Sequence, residues 1–244
     1  MNDKTQIRFA WCGLAFMASF LIGWATLGGF LPPTSPTATA ADLAAFYQQN
    51  PVRMRIGLMI SEWGLTFLIP FSAVLTVQMA RIEGRFPVWS IAHITAWAGT
   101  IIGLIITIVI WETAAYRPER APDLLLLLHD LAWIPMGDET SPFLFIPIAI
   151  AMVGFRDKSE HPIFPRWACY YNLMALLAIL PGGLVIFFKS GPFAWNGLFG
   201  WWIPLVDWGI WFSVLTYLLI KGIKRQAATE QSSRTHEYGD NANA

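Results

Sequence analysis

The chain is poor in charge. Only 13% of its 244 residues are Asp, Glu, Lys or Arg, against about 25% in an average soluble domain. Lys plus Arg equals Asp plus Glu at 16 each, so the formal net charge is zero. That excludes the basic footprint of a nucleic-acid binder. The two cysteines, Cys12 and Cys169, stand in apolar runs with no metal or redox spacing such as C-x-x-C, and both read as small packing residues. None of the 4 histidines forms an H-x-x-H pair, which argues against a histidine-box oxygenase or desaturase. There is no nucleotide loop, serine-nucleophile motif or haem-attachment sequence. No internal repeat is visible, so the inverted-repeat signature of many transporters is missing. No cofactor is expected, and the features lean away from an enzyme.

Long apolar runs are what the chain has instead. Hydrophobic residues make up 55% of it and the mean hydropathy is +0.49. Runs near 20 residues read as membrane spans. The expected fold is an all-α polytopic helical bundle of about six transmembrane helices, one domain over 1–225, followed by a disordered cytoplasmic tail, 226–244, that is polar and lacks periodicity. Spans are expected at about 9–31, 56–80, 88–111, 123–155, 167–188 and 199–220. Lys4, Arg8 and Ala38-Thr39-Ala40 mimic a signal peptide. The first run is too long for a signal core, so it is read as a retained helix, stopped by Pro32-Pro33. In the polar loop beyond, Thr39 followed by Asp42 has the spacing to cap a short helix through Gln48. Lys4, Arg8, Arg81, Arg85, Arg156, Lys158, Arg166, Lys221, Lys224, Arg225 and Arg234 fall on one side; Arg53, Arg55, Arg117, Arg120 and Lys189 fall on the other. By the positive-inside rule both termini are cytoplasmic.

The fourth run is the anomaly. As one straight helix it would rise roughly 48 Å, against a hydrocarbon core of about 30 Å, and tilts rarely exceed about 40°. Its middle reads Pro135-Met136-Gly137-Asp138-Glu139-Thr140-Ser141-Pro142. The span is therefore expected to be discontinuous or re-entrant, with a kinked, overlong helix as the alternative. Counting back from Arg156 puts Asp138 and Glu139 at the outer rim, with Lys189 and Asn196 beside it.

At about 1.5 Å per residue, Glu62, His129, Asp130 and Asp207 share a depth roughly 9–12 Å below the outer face. A charge facing lipid there costs on the order of 3 kcal/mol, so these groups should face the bundle interior. The expectation is an outward-facing acidic cavity with Trp63, Trp133 and Trp208 as walls. Such a site would suit a small cationic or amphipathic ligand and allow proton coupling. Alternatively the same groups hold helices together, for about 1 kcal/mol each, in a non-catalytic subunit of a larger membrane complex. A third reading is a metalloenzyme using Glu62, His129, Asp130 and Asp207 as a mixed metal set. Of the 13 tryptophans, Trp111, Trp195, Trp201 and Trp202 are assigned to an outer aromatic belt, and Trp11, Trp89 and Trp167 to an inner one.

Pro165-Arg166-Trp167, Pro181-Gly182-Gly183-Leu184-Val185 and the run from Phe187 to Gly197, ending Pro192-Phe193-Ala194-Trp195-Asn196-Gly197, resemble a group of uncharacterised bacterial multi-pass inner-membrane proteins. The resemblance covers mainly 165–197. It implies a bacterial inner (plasma) membrane and contact with the lipid bilayer, and transfers no functional residues.

Overall fold

Proline and glycine punctuate the helices where the apolar runs end. The computed structural model describes residues 3–138 and 140–242. Helix α1 (Asp3–Phe20) passes into a π-helical turn, Leu21–Leu27. A short outer-loop helix, α2 (Ala40–Gln49), follows. Pro51 opens α3 (Pro51–Gly64), where its missing N–H is not needed. A 3-10 turn, Leu65–Phe67, joins α3 to α4 (Leu68–Glu83), which Gly84 ends at φ +80. Then come α5 (Val88–Tyr116), α6 (Pro122–Asp138), α7 (Thr140–Gly154) and α8 (Arg166–Ile179). A 3-10 stretch, Leu180–Phe187, and a π-helical turn, Leu198–Trp202, precede α9 (Ile203–Ala242).

Six of these stretches are long and apolar enough to cross a membrane: Asp3–Leu27, Pro51–Glu83, Val88–Tyr116, Pro122–Gly154, Arg166–Phe187 and Leu198–Thr229. The protein is an all-α integral membrane bundle, as its composition implies. In lipid a backbone must satisfy its own hydrogen bonds, and helix does so within one segment. The first span starts earlier than the apolar run, and the second extends at both ends. The fourth is helical on both sides of Glu139, over α6 and α7. Glu139 lies outside the described residues, as does the side chain of Asp138, so both expected rim groups are beyond description. Helix α9 runs on through the segment expected to be a disordered tail.

Span 1 packs against spans 2 and 6, and α5 packs against α3, α4, α6 and α7. Spans 1 and 2 meet backbone to backbone. A Cβ placed on Gly57 would lie 2.5 Å from the carbonyl oxygen of Gly23, and one on Gly23 would lie 2.5 Å from that of Gly57. Small residues permit this close approach in membranes. At the end holding the termini, Gln78 joins three spans: its Nε2 donates to Gln6 Oε1 at 2.6 Å, and its Oε1 accepts from Gln226 Nε2 at 3.0 Å. Arg81 also reaches Gln226. Glu83, closing α4, accepts from the Trp89 and Ser90 N–H groups at 3.0 and 2.7 Å, so one helix caps the next.

The Gly23–Gly57 contact gives a direct test. Gly57→Val should push spans 1 and 2 apart and lower the melting temperature in detergent by about 2–12 °C, from an overpacking cost of about 1–3 kcal/mol. Gly209→Ala, where an added Cβ meets nothing within 4 Å, should leave the melt unchanged.

Candidate functional site

Two irregular backbone segments and the proline-bearing end of α6 meet. The end of α6 contributes Met136 and Gly137, the 3-10 stretch contributes Gly182, and the π turn contributes Gly200 and Trp201 to one cavity of about 70 Å³. Phe20, Thr100, Leu104, Phe143, Ile179, Pro204, Leu205 and Trp208 complete its wall. Each of the three carries a proline in it or two residues beyond it, Pro135, Pro181 or Pro204, and each proline removes a helical N–H donor. The glycines let the segments touch: a Cβ on Gly137 would meet Val185 Cγ2 at 2.8 Å. A water needs about 10–15 Å³ of such space, so the cavity has room for several waters or one small molecule.

Among the described residues no wall side chain is ionisable. The polar side chains on the wall are Thr100 and the indoles of Trp201 and Trp208. Thr100 Oγ1 and Trp201 Nε1 are buried and have no hydrogen-bond partner among the described residues. Thr100 breaks a local habit. Thr76, Thr95 and Thr113 each donate to the carbonyl four residues back, at 2.8–2.9 Å, the ordinary outlet for a hydroxyl on a helix. Thr100, like Thr107, does not.

Beyond Trp201, toward the end that carries α2, lies a packed cluster of indoles. Trp24 stands 5.1 Å from Trp201, 5.5 Å from Trp111 and 5.6 Å from Trp133, measured between ring centroids. Trp133 is 5.2 Å from Trp201 and 5.4 Å from Trp111. None of these four N–H groups has a partner among the described residues. Elsewhere indoles are satisfied: Trp97 donates to His93 Nε2 at 3.1 Å, Trp195 to the Thr34 carbonyl at 2.9 Å, and Trp211 to Asn172 Oδ1 at 2.9 Å. A buried unpaired polar group costs about 1–3 kcal/mol, offset in part where an N–H faces a ring.

His129 closes this cluster. It is fully buried, with Nδ1 2.8 Å from the Tyr47 hydroxyl and Nε2 2.6 Å from Thr34 Oγ1. A neutral imidazole donates with one nitrogen and accepts with the other, so both contacts can be satisfied together. The lid over His129 is α2, whose Leu43, Ala44 and Tyr47 are buried. Its first turn has the expected capping box: Asp42 N–H donates to Thr39 Oγ1 at 3.2 Å, and Thr39 N–H donates to Asp42 Oδ2 at 2.9 Å. Those hydrogen bonds from Thr39 hold the Asp42 carboxyl below its ordinary range, and burial pushes the Tyr47 phenol up.

The structure does not bring the four ionisable groups into one site. His129 is bonded to Tyr47 and Thr34 under the lid. Asp130 lies within electrostatic reach of Lys189, and Glu62 within reach of Glu112 near the end of α5. Asp207 accepts from the Tyr171 hydroxyl at 3.1 Å, and its other oxygen is buried without a partner among the described residues. Among the described residues no three His, Cys, Asp or Glu side chains are grouped closely enough to hold a metal ion, so the set Glu62, His129, Asp130 and Asp207 is not assembled. Their spacing from the span ends does not by itself bring their side chains together. Trp63 is 65% exposed and flanks Glu62 on a shallow groove with Leu65, Thr66, Ile69, Ile101 and Ile105. It is no wall of the main cavity.

Trp208 does line that cavity, and Trp133 belongs to the cluster beyond it. Trp111, Trp195 and Trp201, assigned to an aromatic belt, are buried core residues instead. Trp11, Trp167 and Trp202 are exposed, and Trp89 stacks on Phe145 at 5.7 Å. Lys189 is exposed and Asn196 half-buried in the loop before the π turn. Trp24, Thr34, Tyr47 and Thr100 were missed. A sequence signal existed only for Tyr47, one residue before the end of the capped α2 pattern.

Two outcomes test the lid. Tyr47→Phe should cost about 0.5–1.5 kcal/mol, and His129→Ala roughly 3 kcal/mol, because it empties a buried position and strands two hydroxyls; thermal melts and proteolysis within 34–50 would show both. Because the folded Asp42 carboxyl titrates below its unfolded value, its contribution is complete above about pH 4. That contribution is lost as pH falls through the folded value. Amide protection of α2 should therefore fall below pH 4, and Asp42→Ala should remove that pH step. No protein-family model, no curated protein and no solved structure matches the chain, so its chemistry is read from the cavity and its walls.

Proposed function

We propose that this protein binds, and holds or passes within the bilayer, a small lipophilic molecule lodged where spans 1, 3, 4, 5 and 6 meet. The observation that carries this reading is the convergence of two irregular backbone segments and the Pro135 end of α6 on one cavity. Irregular backbone at membrane depth is tolerated only where protein or a cavity surrounds it, and transporters place substrate sites at such breaks. One break would be an accommodation; two beside a proline-bearing helix end, around the same space, argue for a use. The apolar wall favours a lipophilic occupant over the cationic one first expected, because among the described residues no carboxylate lines it.

Asp207 is the acid best placed to couple a proton to this site. It precedes Trp208, a wall residue, and one of its oxygens has no partner among the described residues. The lysine and arginine distribution, together with the resemblance over 165–197, supports a bacterial inner membrane with both termini cytoplasmic. The lid formed by α2 would then lie on the outer side.

Xenon, which enters dry apolar cavities and is small enough for a space of about 70 Å³, serves as the probe. It should raise the melting temperature of the detergent-solubilised protein in a dose-dependent way. Leu104→Trp, which puts a larger ring into the cavity, should abolish that rise. An identical rise in the variant would place the probe elsewhere and defeat the reading. If Asp207 couples a proton, the pH dependence of the probe's effect should flatten in Asp207→Asn.

A further inference from the structure

We infer that a second pocket, at the end of the bundle that carries the termini, binds the headgroup of an anionic phospholipid, with the phosphate between Lys221 and Arg225. The pocket measures about 370 Å³, within the roughly 300–1,000 Å³ of small-molecule sites. It lies between α9 and the segment that joins α7 to α8. Tyr217, Lys221 and Arg225 are spaced four residues apart, so they stand one above another on one face of α9. The joining segment supplies Glu160 and His161, and the first turn of α8 supplies Trp167. Gly222 lets that segment come close: a Cβ there would lie 2.7 Å from Ile163 Cγ1. Lys221, Arg225, Tyr217 and Trp167 are all exposed.

Charge and position restrict the occupant. Lys221 Nζ donates to the Tyr217 hydroxyl at 3.3 Å and lies 5.4 Å from the centroid of that ring. Among the described residues neither Lys221 nor Arg225 is ion-paired. Glu160 is the only carboxylate on the described wall, so two cations face one anion before His161 is counted. A guanidinium presents a planar fork that matches two phosphate oxygens, and an ammonium adds a point charge. Trp167 stands one residue inside the start of the fifth span, the level at which Trp and Tyr meet headgroups. Basic pockets between spans at that level suit anionic lipid headgroups. A zwitterionic headgroup brings an ammonium that Lys221 and Arg225 repel. From Trp167 the exposed Tyr170, Met174 and Leu177 continue along α8 at helical spacing. That apolar stripe offers acyl chains a surface that a soluble phosphate cannot use, which favours a lipid as the source of the phosphate.

Lipid titration of the full chain, delipidated in detergent and read by native mass spectrometry, tests this. Phosphatidylglycerol should bind roughly tenfold more tightly than phosphatidylcholine with the same acyl chains. Lys221→Gln and Arg225→Gln should each weaken phosphatidylglycerol about fivefold and leave phosphatidylcholine within about twofold. Both side chains are exposed, so the fold survives their loss. Lys224→Gln removes the same charge from a residue that does not line the pocket, and it should leave the affinity unchanged. Equal weakening by Lys224→Gln would reveal a diffuse charge effect and overturn the site. Equal affinity for the two lipids, or tighter binding of phosphatidylethanolamine than of phosphatidylglycerol, would overturn it as well. Inorganic phosphate should not displace the bound lipid; complete displacement would mark a soluble-anion site and overturn the lipid assignment. A photoreactive phosphatidylglycerol should crosslink within 160–167 or 217–225, and crosslinks confined to other segments would also overturn the inference.

Discussion

A polypeptide inside a bilayer has no water to satisfy its backbone, so any interruption of a helix must be enclosed by other protein. That constraint organises this molecule. The 3-10 stretch after α8 and the π turn before α9 depart from α-helical geometry, and the end of α6 beside them carries Pro135. They are placed against one another rather than distributed around the bundle. Spans 1 and 3 supply the remaining wall through Phe20, Thr100 and Leu104. The cavity is what remains where proline-bearing segments cannot pack as densely as straight helices.

Tryptophan supplies the enclosure. The indoles of Trp24, Trp111, Trp133 and Trp201 fill the space between the cavity and the α2 end, and His129 closes it under Tyr47 and Thr34. The same network ties the lid to the cavity: Thr34 bonds His129 through its hydroxyl and accepts from Trp195 through its carbonyl. Trp195 stacks on Trp133 at 5.9 Å, and Trp133 touches Trp201 on the cavity wall. A change at α2 therefore has a contiguous route of packed rings to the site. At the opposite end, glutamines rather than charges join spans 1, 2 and 6. Neutral amides bridge the helices there without the desolvation cost of buried ions.

The sparse acids are dispersed among different partners, and this is why the acidic cavity did not materialise. Depth along a helix is a one-dimensional quantity, and it is all that counting residues from a span end supplies. Azimuth is what decides whether side chains meet, and it depends on how each helix is rotated against its neighbours. Glu62 looks toward Glu112 on the flank of spans 2 and 3, Asp130 toward Lys189, and Asp207 toward Tyr171. Hydropathy is nearly uniform around each span, so the sequence offers little amphipathic signal from which rotation could be read.

By itself the sequence determined the class of the protein, the six spans and the capped helix α2. Each follows from a local rule: apolar length against bilayer thickness, and a Thr-x-x-Asp cap. Only the tertiary structure decided that Trp111, Trp195 and Trp201 are core rather than belt, that His129 is a buried latch, and that Thr100 and Trp201 border one cavity. The physical reason is the same throughout. A tryptophan near a span end has one sequence signature whether it turns to the headgroups or to the bundle. What separates the two is the packing of helices distant in the chain, which no local pattern encodes.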